Sequence, residues 1–243
     1  MDPGPGSADS LAIGVVTGLA SEAAVVAAML NGDAPKVFHV CAGASAQRAA
    51  VLARQLVDRG VGALLSFGIA GAVAPDLVSG ELVLPDEVLR DDAEDPSVYG
   101  CDPTWREALS AALAEVHLTH RDGLLVSSKR LWRESKDKQA VFEITGGQAI
   151  DMESGAVAAI AAEAGLPFLA VRAVADRARD SLPELVETGV KPDGRPAVAR
   201  AVAALVRRPG DIPATLRLAR QSELALAKLR MLEAVKGVLF GGF

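Results

Sequence analysis

Short apolar runs alternate along the chain with longer stretches of helical periodicity. Two of the runs, LAIGVVT at residues 11–17 and GALLSF at residues 62–67, are rich in branched and small apolar residues. Such runs are typical of strands that are buried on both faces, and the stretches between them predict helices. The alternation therefore predicts an α/β fold, a single three-layer domain with a twisted, mainly parallel mixed sheet flanked by helices.

The same pattern places the other elements in order along the chain. It predicts strands at residues 11–17, 36–42, 62–67, 81–89 and 123–127, in the stretch that ends at residue 150, and at residues 168–174. It predicts helices at residues 21–30, between residues 45 and 60, and at residues 104–115, 154–164, 197–207 and 212–238. Pro85 interrupts the fourth strand, which places the later half of that strand at a sheet edge or a bulge.

Three irregular segments are candidates for the walls of a site. Residues 90–103 are acidic and rich in turn residues, and we expect a loop there that can reach a site. Residues 128–138, SKRLWRESKDK, are polar except for Leu131 and Trp132, which predicts a lid or a pocket wall. Residues 177–196 form a long irregular stretch, and loops of this length in compact domains are usually functional or mobile.

Composition narrows the classes of protein that the chain can belong to. A length of 243 residues is common for a single α/β domain. Only 4% of the residues are aromatic, so the core must be built mainly from Ala, Val, Leu and Ile. The formal charge of −6 argues against nucleic acid as the main partner, because phosphate binding needs a basic surface.

The termini and the cysteines indicate a cytoplasmic protein. Cys41 and Cys101 have neither C-x-x-C spacing nor a nearby His pair, so we expect reduced thiols and no metal site. Residues 1–10 are acidic and rich in Gly, Pro and Ser, which predicts a disordered lead-in rather than a signal peptide. No apolar run is long enough to span a bilayer. We expect a domain at residues 11–208 and an amphipathic helical tail at residues 209–243.

Candidate site residues follow the predicted strands, where ligands bind in open α/β sheets. They lie at residues 18–22, 68–71 and 151–153 and at Asp176. Taken alone, each of these features has a simpler explanation. Glu22 suits the first turn of a helix, the glycines at residues 68–71 suit a tight turn, and the acidic residues at 151–153 suit a helix cap. Their convergence on one sheet edge predicts a site. Arg172, in the apolar strand AVRAVAD, needs a carboxylate partner.

Four motifs in order, SFGIAGAV, GELVLPDEV, DMES and GLPFLAVRAVAD, resemble the nucleoside phosphorylase and nucleosidase superfamily. Members of this superfamily cleave the N-glycosidic bond of nucleosides. The resemblance runs from Leu11 to about Leu205, and its most specific marks are D-M-E and the R-x-x-x-D of Arg172 and Asp176. It implies a nucleoside phosphorylase-like fold and a small-molecule nucleoside as the substrate.

The resemblance also implies roles for individual residues. Glu22 takes the place of the carboxylate that activates water, Glu153 that of the residue that binds the sugar hydroxyls, and Asp176 that of the acid that protonates the purine. Met152 is implied to pack on the ribose, and Arg172 to hold this region in place. The other implied substrate-binding residues are Gly68, Ile69, Ala70 and Gly71 in the site loop, and Leu131 or Trp132 in place of the aromatic residue that stacks on adenine.

The chemistry of the bond agrees with these roles. Cleavage develops positive charge on the sugar and negative charge on the departing base, so a carboxylate near the ribose and an acid near the base both lower the barrier. Carboxylates that share a small site are expected to raise the pKa of one of them, which would let Asp176 keep a proton while Glu22 acts as a base. No metal is needed for these steps.

Two departures from the family pattern favour hydrolysis over phosphorolysis. Ile69 stands where G-S-A-G is usual, and Glu22 stands where the phosphorylases have a glycine-loop arginine. We therefore expect no cofactor, with phosphate left open as a co-substrate. Arg48 is open to three interpretations: a phosphate contact, a contact with a partner subunit, or an exposed helix residue.

Within the superfamily the chain is most similar to the hopanoid-associated phosphorylase-like group, whose substrate resembles adenosine with a polycyclic lipid at the 5′ carbon. Leucines and basic residues alternate over residues 207–236, which predicts a cationic amphipathic helix that lies on a membrane surface or packs on the body or a second subunit. Methylthioadenosine/S-adenosylhomocysteine nucleosidase, futalosine hydrolase, true phosphorylase and an inactive nucleoside-binding module are the alternatives. The resemblance implies a homodimer.

Overall fold

The structure is a computed structural model that describes residues 12–30, 36–91, 96–188 and 190–241. The strands are β1 (Ile13–Thr17), β2 (Val37–Cys41), β3 (Ala63–Ala72), β4 (Leu82–Val83), β5 (Glu87–Asp91), β6 (Ser97–Gly100), β7 (His120–Arg121), β8 (Leu124–Ser128), β9 (Ala149–Asp151) and β10 (Phe168–Val174). The helices are α1 (Ala20–Met29), α2 (Ala46–Asp58), α3 (Pro103–Glu115), α4 (Ser135–Thr145), α5 (Ser154–Ala164), α6 (Leu185–Thr188), α7 (Val198–Arg207), α8 (Ile212–Arg230) and α9 (Lys236–Leu239).

The strand β3 joins the two parts of the sheet. It pairs in parallel with β1 and β10, and its last two residues pair antiparallel with β9. From β3 the sheet extends through β10 to β4 and β7 in one direction, and through β9, β8 and β5 to β6 in the other. Most of the pairings are parallel, and the antiparallel ones are β3 with β9, β4 with β10, and β5 with β6. The predicted α/β fold with a mainly parallel mixed sheet is confirmed.

Helices cover both faces of the sheet. Every residue of β10 is buried, so the strand needs cover on both sides, and both α5 and α8 contact it. The helix α2 packs against α5, and α1 packs against α8. Both α4 and α5 end at a glycine with left-handed backbone, Gly146 and Gly165, a conformation that glycine adopts without steric cost.

Two predictions about the stretch after residue 80 are wrong. The single strand at residues 81–89 is two strands on either side of Pro85: β4 pairs with β10 and β7, whereas β5 pairs with β8 and β6. Proline cannot donate to a ladder, so the chain changes partners there. The loop expected at residues 90–103 instead returns to the sheet as β6, and its described residues do not line the main cavity of this chain. Residues 92–95 lie outside the described residues.

The C-terminal segment packs on the body of the protein. Leu229, Leu232, Leu239 and Phe240 are fully buried in the main hydrophobic core, and Leu226 belongs to the same cluster. The predicted helix at residues 212–238 is broken into α8, a 3-10 helix at Met231–Val235, and α9. None of the helices within the described ranges has both the length and the apolar character that crossing a membrane requires. The predicted lead-in at residues 1–10 lies outside the described residues.

Candidate active site

Four buried carboxyl groups line one cavity of about 840 Å³, those of Glu22, Glu153, Asp176 and Asp151, and the last of these is paired with Arg172. Glu22 comes from the first turn of α1, Glu153 immediately precedes α5, and Asp176 follows β10. The parallel pairing of β1, β3 and β10 brings the carboxyl ends of these strands to the same edge of the sheet. The convergence that the sequence predicts is therefore found in the structure.

Glu22 is held by backbone amides at the edge of the cavity. Its carboxylate accepts hydrogen bonds of 2.8 Å from the N–H groups of Gly18, Leu19 and Ile69. Burial raises the pKa of Glu22 above its ordinary value, and these amides and Arg172 oppose that rise. Glu22 lies in the first turn of α1, where an acidic residue is favoured without any role in a site. The hydrogen bond from Ile69 also connects it to β3.

Glu153 carries a carboxyl oxygen without a hydrogen-bond partner in this part of the structure. Although the residue occupies the N-cap of α5, its side chain makes no capping bond, and Oε1 is buried and unpaired among the described residues. The backbone N–H of Ser154 is instead bonded to the carboxylate of Asp151. Burial, together with the neighbouring carboxyl groups of Asp151 and Glu22, raises the pKa of Glu153 to about 8.

Asp176 forms an ion pair with Lys138, a residue that sequence reasoning missed. Lys138 projects from α4, and its side chain is only 1% exposed. Burial raises the pKa of Asp176, and the ammonium of Lys138 counteracts this. The sequence-based reason for a raised pKa at Asp176, crowding by carboxylates, is therefore misplaced. The crowding acts on Glu153, whereas for Asp176 burial is the first cause.

Arg172 lies behind the cavity rather than on its surface. Its guanidinium binds the carboxylate of Asp151 through Nε at 2.8 Å and through Nη2 at 2.5 Å, and it donates to the hydroxyls of Ser66 and Ser154. Both members of the ion pair are 1% exposed. Asp151 is therefore the carboxylate partner that the sequence predicted for Arg172. Arg172, expected among the substrate-binding residues, is not one of the described residues that line the cavity, and it contacts the lining through Asp151.

A glycine lies beside each of the carboxyl groups of Glu22, Glu153 and Asp176. A Cβ atom at Gly18 would lie 2.9 Å from Oε1 of Glu153, and one at Gly68 would lie 2.6 Å from Oε1 of Glu22. A Cβ atom at Gly71 would lie 3.1 Å from Oδ2 of Asp176. The absence of side chains at these positions makes room for the carboxyl groups.

The predicted glycine loop is part of a strand. The predicted strand at residues 62–67 continues to Ala72, because residues 68–72 keep pairing with β10 and β9. Three residues of this segment line the cavity: Ile69, Ala70 and Gly71. Gly68 lies against the carboxylate of Glu22.

The polar segment before α4 forms a wall of the cavity, as predicted. Lys129, Arg130, Leu131 and Arg133 line it. Trp132 faces a smaller adjoining cavity of about 60 Å³, which it shares with Lys138 and Asp176 among others. Its ring lies 4.4 Å from the guanidinium carbon of Arg130 and packs against the cluster of Val73, Val126, Val141 and Ile150. Of the two candidates for a base-stacking residue, the structure places Leu131 on the main cavity.

The rest of the lining comes from several segments. Met152 lines the cavity beside Glu153, as the resemblance implied. Arg48 donates to the carbonyls of Ala42 and Gly43 at 2.6 Å, so it shapes the loop after β2. Aliphatic side chains supply a further part of the lining: Leu19, Leu182, Leu185, Val186, Val190 and Leu218. In the described part of the chain, no three His, Cys, Asp or Glu side chains are grouped so as to hold a metal ion.

Sequence reasoning could have found Lys138 from its position on the helix. In SKDKQAVFEIT, Lys138 lies three and four residues before Val141 and Phe142, and therefore on the apolar face of the helix. A lysine on the buried face of a helix requires an anionic partner in the interior. The identity of that partner could not be read from the sequence, because Asp176 follows β10, 38 residues further along the chain.

Comparison with known proteins connects this geometry to a family and to solved structures. The model of the Phosphorylase superfamily matches residues 17–208. The 5′-methylthioadenosine/S-adenosylhomocysteine nucleosidase of Geobacillus thermodenitrificans is 28% identical over 151 residues, which cover 53% of this chain and 62% of that protein. That of Marinomonas sp. is 27% identical over 143 residues, with the same coverage. The chain thus matches less than two thirds of the length of these relatives.

Solved structures agree with the fold over nearly the whole chain. The native structure of futalosine hydrolase of Helicobacter pylori has a TM-score of 0.74 at 13% identity and covers 96% of this chain and 99% of its own. The S-adenosylhomocysteine nucleosidase from Streptococcus pyogenes, in complex with 5-methylthiotubericidin, has a TM-score of 0.72 at 20% identity, with 96% and 98% covered. At such identities these structures bear on the fold alone.

Proposed function

The chain belongs to the phosphorylase superfamily, and we propose that it hydrolyses the N-glycosidic bond of a 5′-modified adenosine and releases adenine. The observation that carries the proposal is the convergence of three buried carboxyl groups, those of Glu22, Glu153 and Asp176, on one cavity. Burying three carboxyl groups together costs stability, and groups kept at such a cost commonly serve a site.

The three groups suit the charges that develop during the reaction. When the bond between the sugar and the base breaks, the sugar becomes cationic and the base takes the electron pair. Glu153, beside Met152, is assigned to the sugar hydroxyls. With a pKa of about 8 it is mainly protonated at neutral pH, and its ionised form, which would stabilise the cation, becomes the main form only above that pH. Asp176 is assigned to the base as general acid, and Glu22 to the attacking water as general base. The raised pKa of Glu22 moves its proton affinity toward neutrality, as a general base requires.

The surroundings of Glu22 favour water over phosphate as the attacking group. Backbone amides of Gly18, Leu19 and Ile69 are all engaged by its carboxylate. Two donors of Arg48 are engaged by backbone carbonyls, so this cation is not aimed at the cavity. A phosphate dianion near Glu22 would meet like charge when Glu22 is ionised as the general base, whereas a water molecule would meet a base.

The aliphatic part of the lining supports an apolar group at the 5′ carbon. Leu182, Leu185 and Val186 come from the segment after β10, and Leu218 from α8. A cavity of about 840 Å³ is at the upper end of the range typical for small-molecule sites, roughly 300–1,000 Å³, and leaves space beyond a nucleoside. This supports a bulky lipid substituent such as that of adenosylhopane, in hopanoid lipid biosynthesis. The second candidate is methylthioadenosine, which the names of the relatives favour.

A base-release assay tests the proposal. The protein is incubated with adenosine, methylthioadenosine and a series of 5′-alkyl adenosines of increasing chain length, with and without phosphate, and free adenine is measured. We expect adenine without phosphate, and a kcat/KM that rises with the length of the alkyl group.

Three outcomes would change the proposal. Release of no adenine from any of these compounds would rule out nucleosidase activity, and strict phosphate dependence would replace hydrolysis by phosphorolysis. A preference for methylthioadenosine over the longer compounds would favour the second candidate.

Two further expectations stay predictions. A homodimer is expected from the resemblance, and light scattering would test it. Contact of the helix within residues 207–236 with a membrane surface also stays a prediction, and Leu216 and Leu224 on α8 are apolar side chains of that stretch that the structure leaves exposed. Flotation with anionic vesicles would test this contact, and a Leu216→Ser/Leu224→Ser variant that floats as well as the wild type would contradict it.

A further inference from the structure

The ammonium group of Lys138 is buried beside the candidate acid and makes three contacts. Nζ donates to Oδ2 of Asp176, to the carbonyl of Arg177 at 3.2 Å and to the carbonyl of Asp180 at 2.7 Å. A lysine ammonium has three N–H donors, so this arrangement uses all of them. These contacts fix the carboxyl group of Asp176 and the start of the following loop relative to Lys138 on α4.

Backbone bonds fix α4 relative to the same loop. The N–H of Leu182 donates to the carbonyl of Arg133 at 2.9 Å, and the N–H of Ser135 donates to the hydroxyl of Ser181 at 3.2 Å. The helix that carries Lys138 and the loop that follows Asp176 are thus joined at two further points. Lys138 therefore has a defined position relative to the acid, with its side chain buried away from solvent.

We propose that Lys138 is a positioning residue for Asp176: its ammonium holds Oδ2 and stabilises the carboxylate that remains after Asp176 has given a proton to the departing base. The inference rests on the proposed nucleoside cleavage. It assigns to Lys138 an effect on the acid alone, with no contact to the substrate.

The proton and electron balance of the step shows where the ammonium acts. The bond between C1′ and the base nitrogen breaks, and its electron pair goes to the base. The carboxyl proton of Asp176 moves to a base nitrogen, while water adds to C1′ and gives its proton to Glu22. Asp176 is then a buried carboxylate, and a buried anion without a partner is strongly destabilised. The ion pair with Lys138 removes that penalty and so makes Asp176 a stronger acid.

Other charged groups lie near Lys138 and Asp176 and contribute to the electrostatic potential at this ion pair. Asp180, on the loop after β10, raises the pKa of Asp176, and Lys138 lowers it. The acidic groups that share the cavity are Glu22, Glu134, Asp137, Asp151 and Glu153. The basic groups that share it are Lys129, Arg130 and Arg133. Among the charged side chains that act on Asp176, Lys138 has the largest effect.

A double-mutant cycle with a pH profile tests the proposal. The variants are Lys138→Met, Lys138→Gln, Asp176→Asn and the double variant Lys138→Met/Asp176→Asn, with Lys136→Met as the matched control from an exposed position on the same helix. Adenine release is measured across pH with the best substrate of the wild type. Glutamine can still donate to the carbonyls of Arg177 and Asp180 but carries no charge, so it separates the electrostatic role from loop support.

We expect Lys138→Met and Lys138→Gln each to lower kcat/KM by about tenfold or more, since general acid catalysis contributes on this scale. A general acid must be protonated, so activity falls as pH rises through its pKa. Because an adjacent ammonium lowers that pKa, its removal should move the alkaline limb of the profile upward by about one pH unit or more. In the Asp176→Asn background, Lys138→Met should change kcat/KM by less than about twofold.

The inference is wrong if Lys138→Met lowers activity equally in both backgrounds, or if the alkaline limb does not move. A glutamine variant with wild-type activity would show that Lys138 only supports the loop. The ¹³C NMR titration of the Asp176 carboxyl, assigned with Asp176→Asn, distinguishes these failures from failure of the proposed function. If the wild type releases no base, the proposed function fails, and the positioning role of Lys138 in that reaction fails with it. In that case, a higher titration midpoint of the Asp176 carboxyl in Lys138→Met than in the wild type would still show that Lys138 lowers the pKa of Asp176, independently of nucleoside cleavage.

Discussion

At the scale of single residues, the space beside each carboxyl group is as important as the carboxyl group itself. Gly68 lies in β3 with ordinary extended backbone, so its conformation does not require glycine. What requires glycine is the carboxylate of Glu22, which lies 2.6 Å from the place where a Cβ atom would be. Glu22 cannot move aside without weakening its bonds to the amides of Gly18, Leu19 and Ile69.

We therefore expect Gly68→Ala to lower kcat for adenine release by about a hundredfold, because displacing a catalytic group by about 1 Å costs on this order. The matched control is Gly100→Ala, in another strand, where a Cβ atom would meet nothing within 4 Å. Steady-state kinetics of the two variants, with circular dichroism to check folding, would decide this. A Gly68→Ala enzyme as active as Gly100→Ala would show that the exact place of the Glu22 carboxylate is unimportant.

At the scale of elements, the pair of Arg172 and Asp151 joins β10 to β9 behind the site. The same guanidinium reaches Ser66 on β3 and Ser154 at the start of α5. Four elements around the cavity, β3, β9, β10 and α5, are therefore joined by one buried cation. The role of this network is to fix the strand ends from which Glu153 and Asp176 project.

We expect Arg172→Met to lower the free energy of unfolding by about 3–5 kcal/mol, because it leaves the buried carboxylate of Asp151 without its partner. Arg54→Met is the matched control, since it breaks the exposed ion pair with Glu163 and should cost no more than about 1 kcal/mol. Urea denaturation measures both values. Equal losses for the two variants would mean that the buried pair contributes no more than a surface pair.

At the scale of the whole molecule, the buried carboxyl groups make stability depend on pH. The pKa of Glu153 is raised from 4.5 to about 8, and the pKa values of Glu22 and Asp176 are raised as well. A carboxyl group with a raised pKa in the folded protein favours folding while it is protonated. Its contribution is complete below pH 4.5 and is lost as the pH rises to about 8.

We expect the free energy of unfolding to fall through this range, with Glu153 alone contributing on the order of 5 kcal/mol. Glu153→Gln should remove that part of the slope and make the protein more stable than the wild type at about pH 8 to 9. Glu163→Gln, at an exposed position, should leave the slope unchanged. Denaturant titrations across pH would measure the slopes, and a Glu153→Gln slope equal to that of the wild type would contradict this account.

The sequence by itself determined the fold class and most of the acidic residues of the site. The strand at residues 168–174 and the helix at residues 154–164 were predicted with their observed bounds. Both are local features, since an apolar run bounded by turn residues and a helix ended by Gly165 depend on neighbours in the chain. Glu22, Glu153 and Asp176 were found because each follows a predicted strand at the edge where ligands bind.

Only the tertiary structure decided the partners of these residues. The residues around Pro85 did not reveal that they form two strands, β4 and β5. The two strands differ in their distant pairing partners, β10 for β4 and β8 for β5. Lys138 and Asp176 are separated by 38 residues, and Asp151 and Glu22 act on Glu153 through space. Electrostatic coupling depends on distance and burial, and neither is recorded in the order of residues. The sequence identified the carboxyl groups of the site, and the fold determined which of them are crowded together and which is paired with a cation.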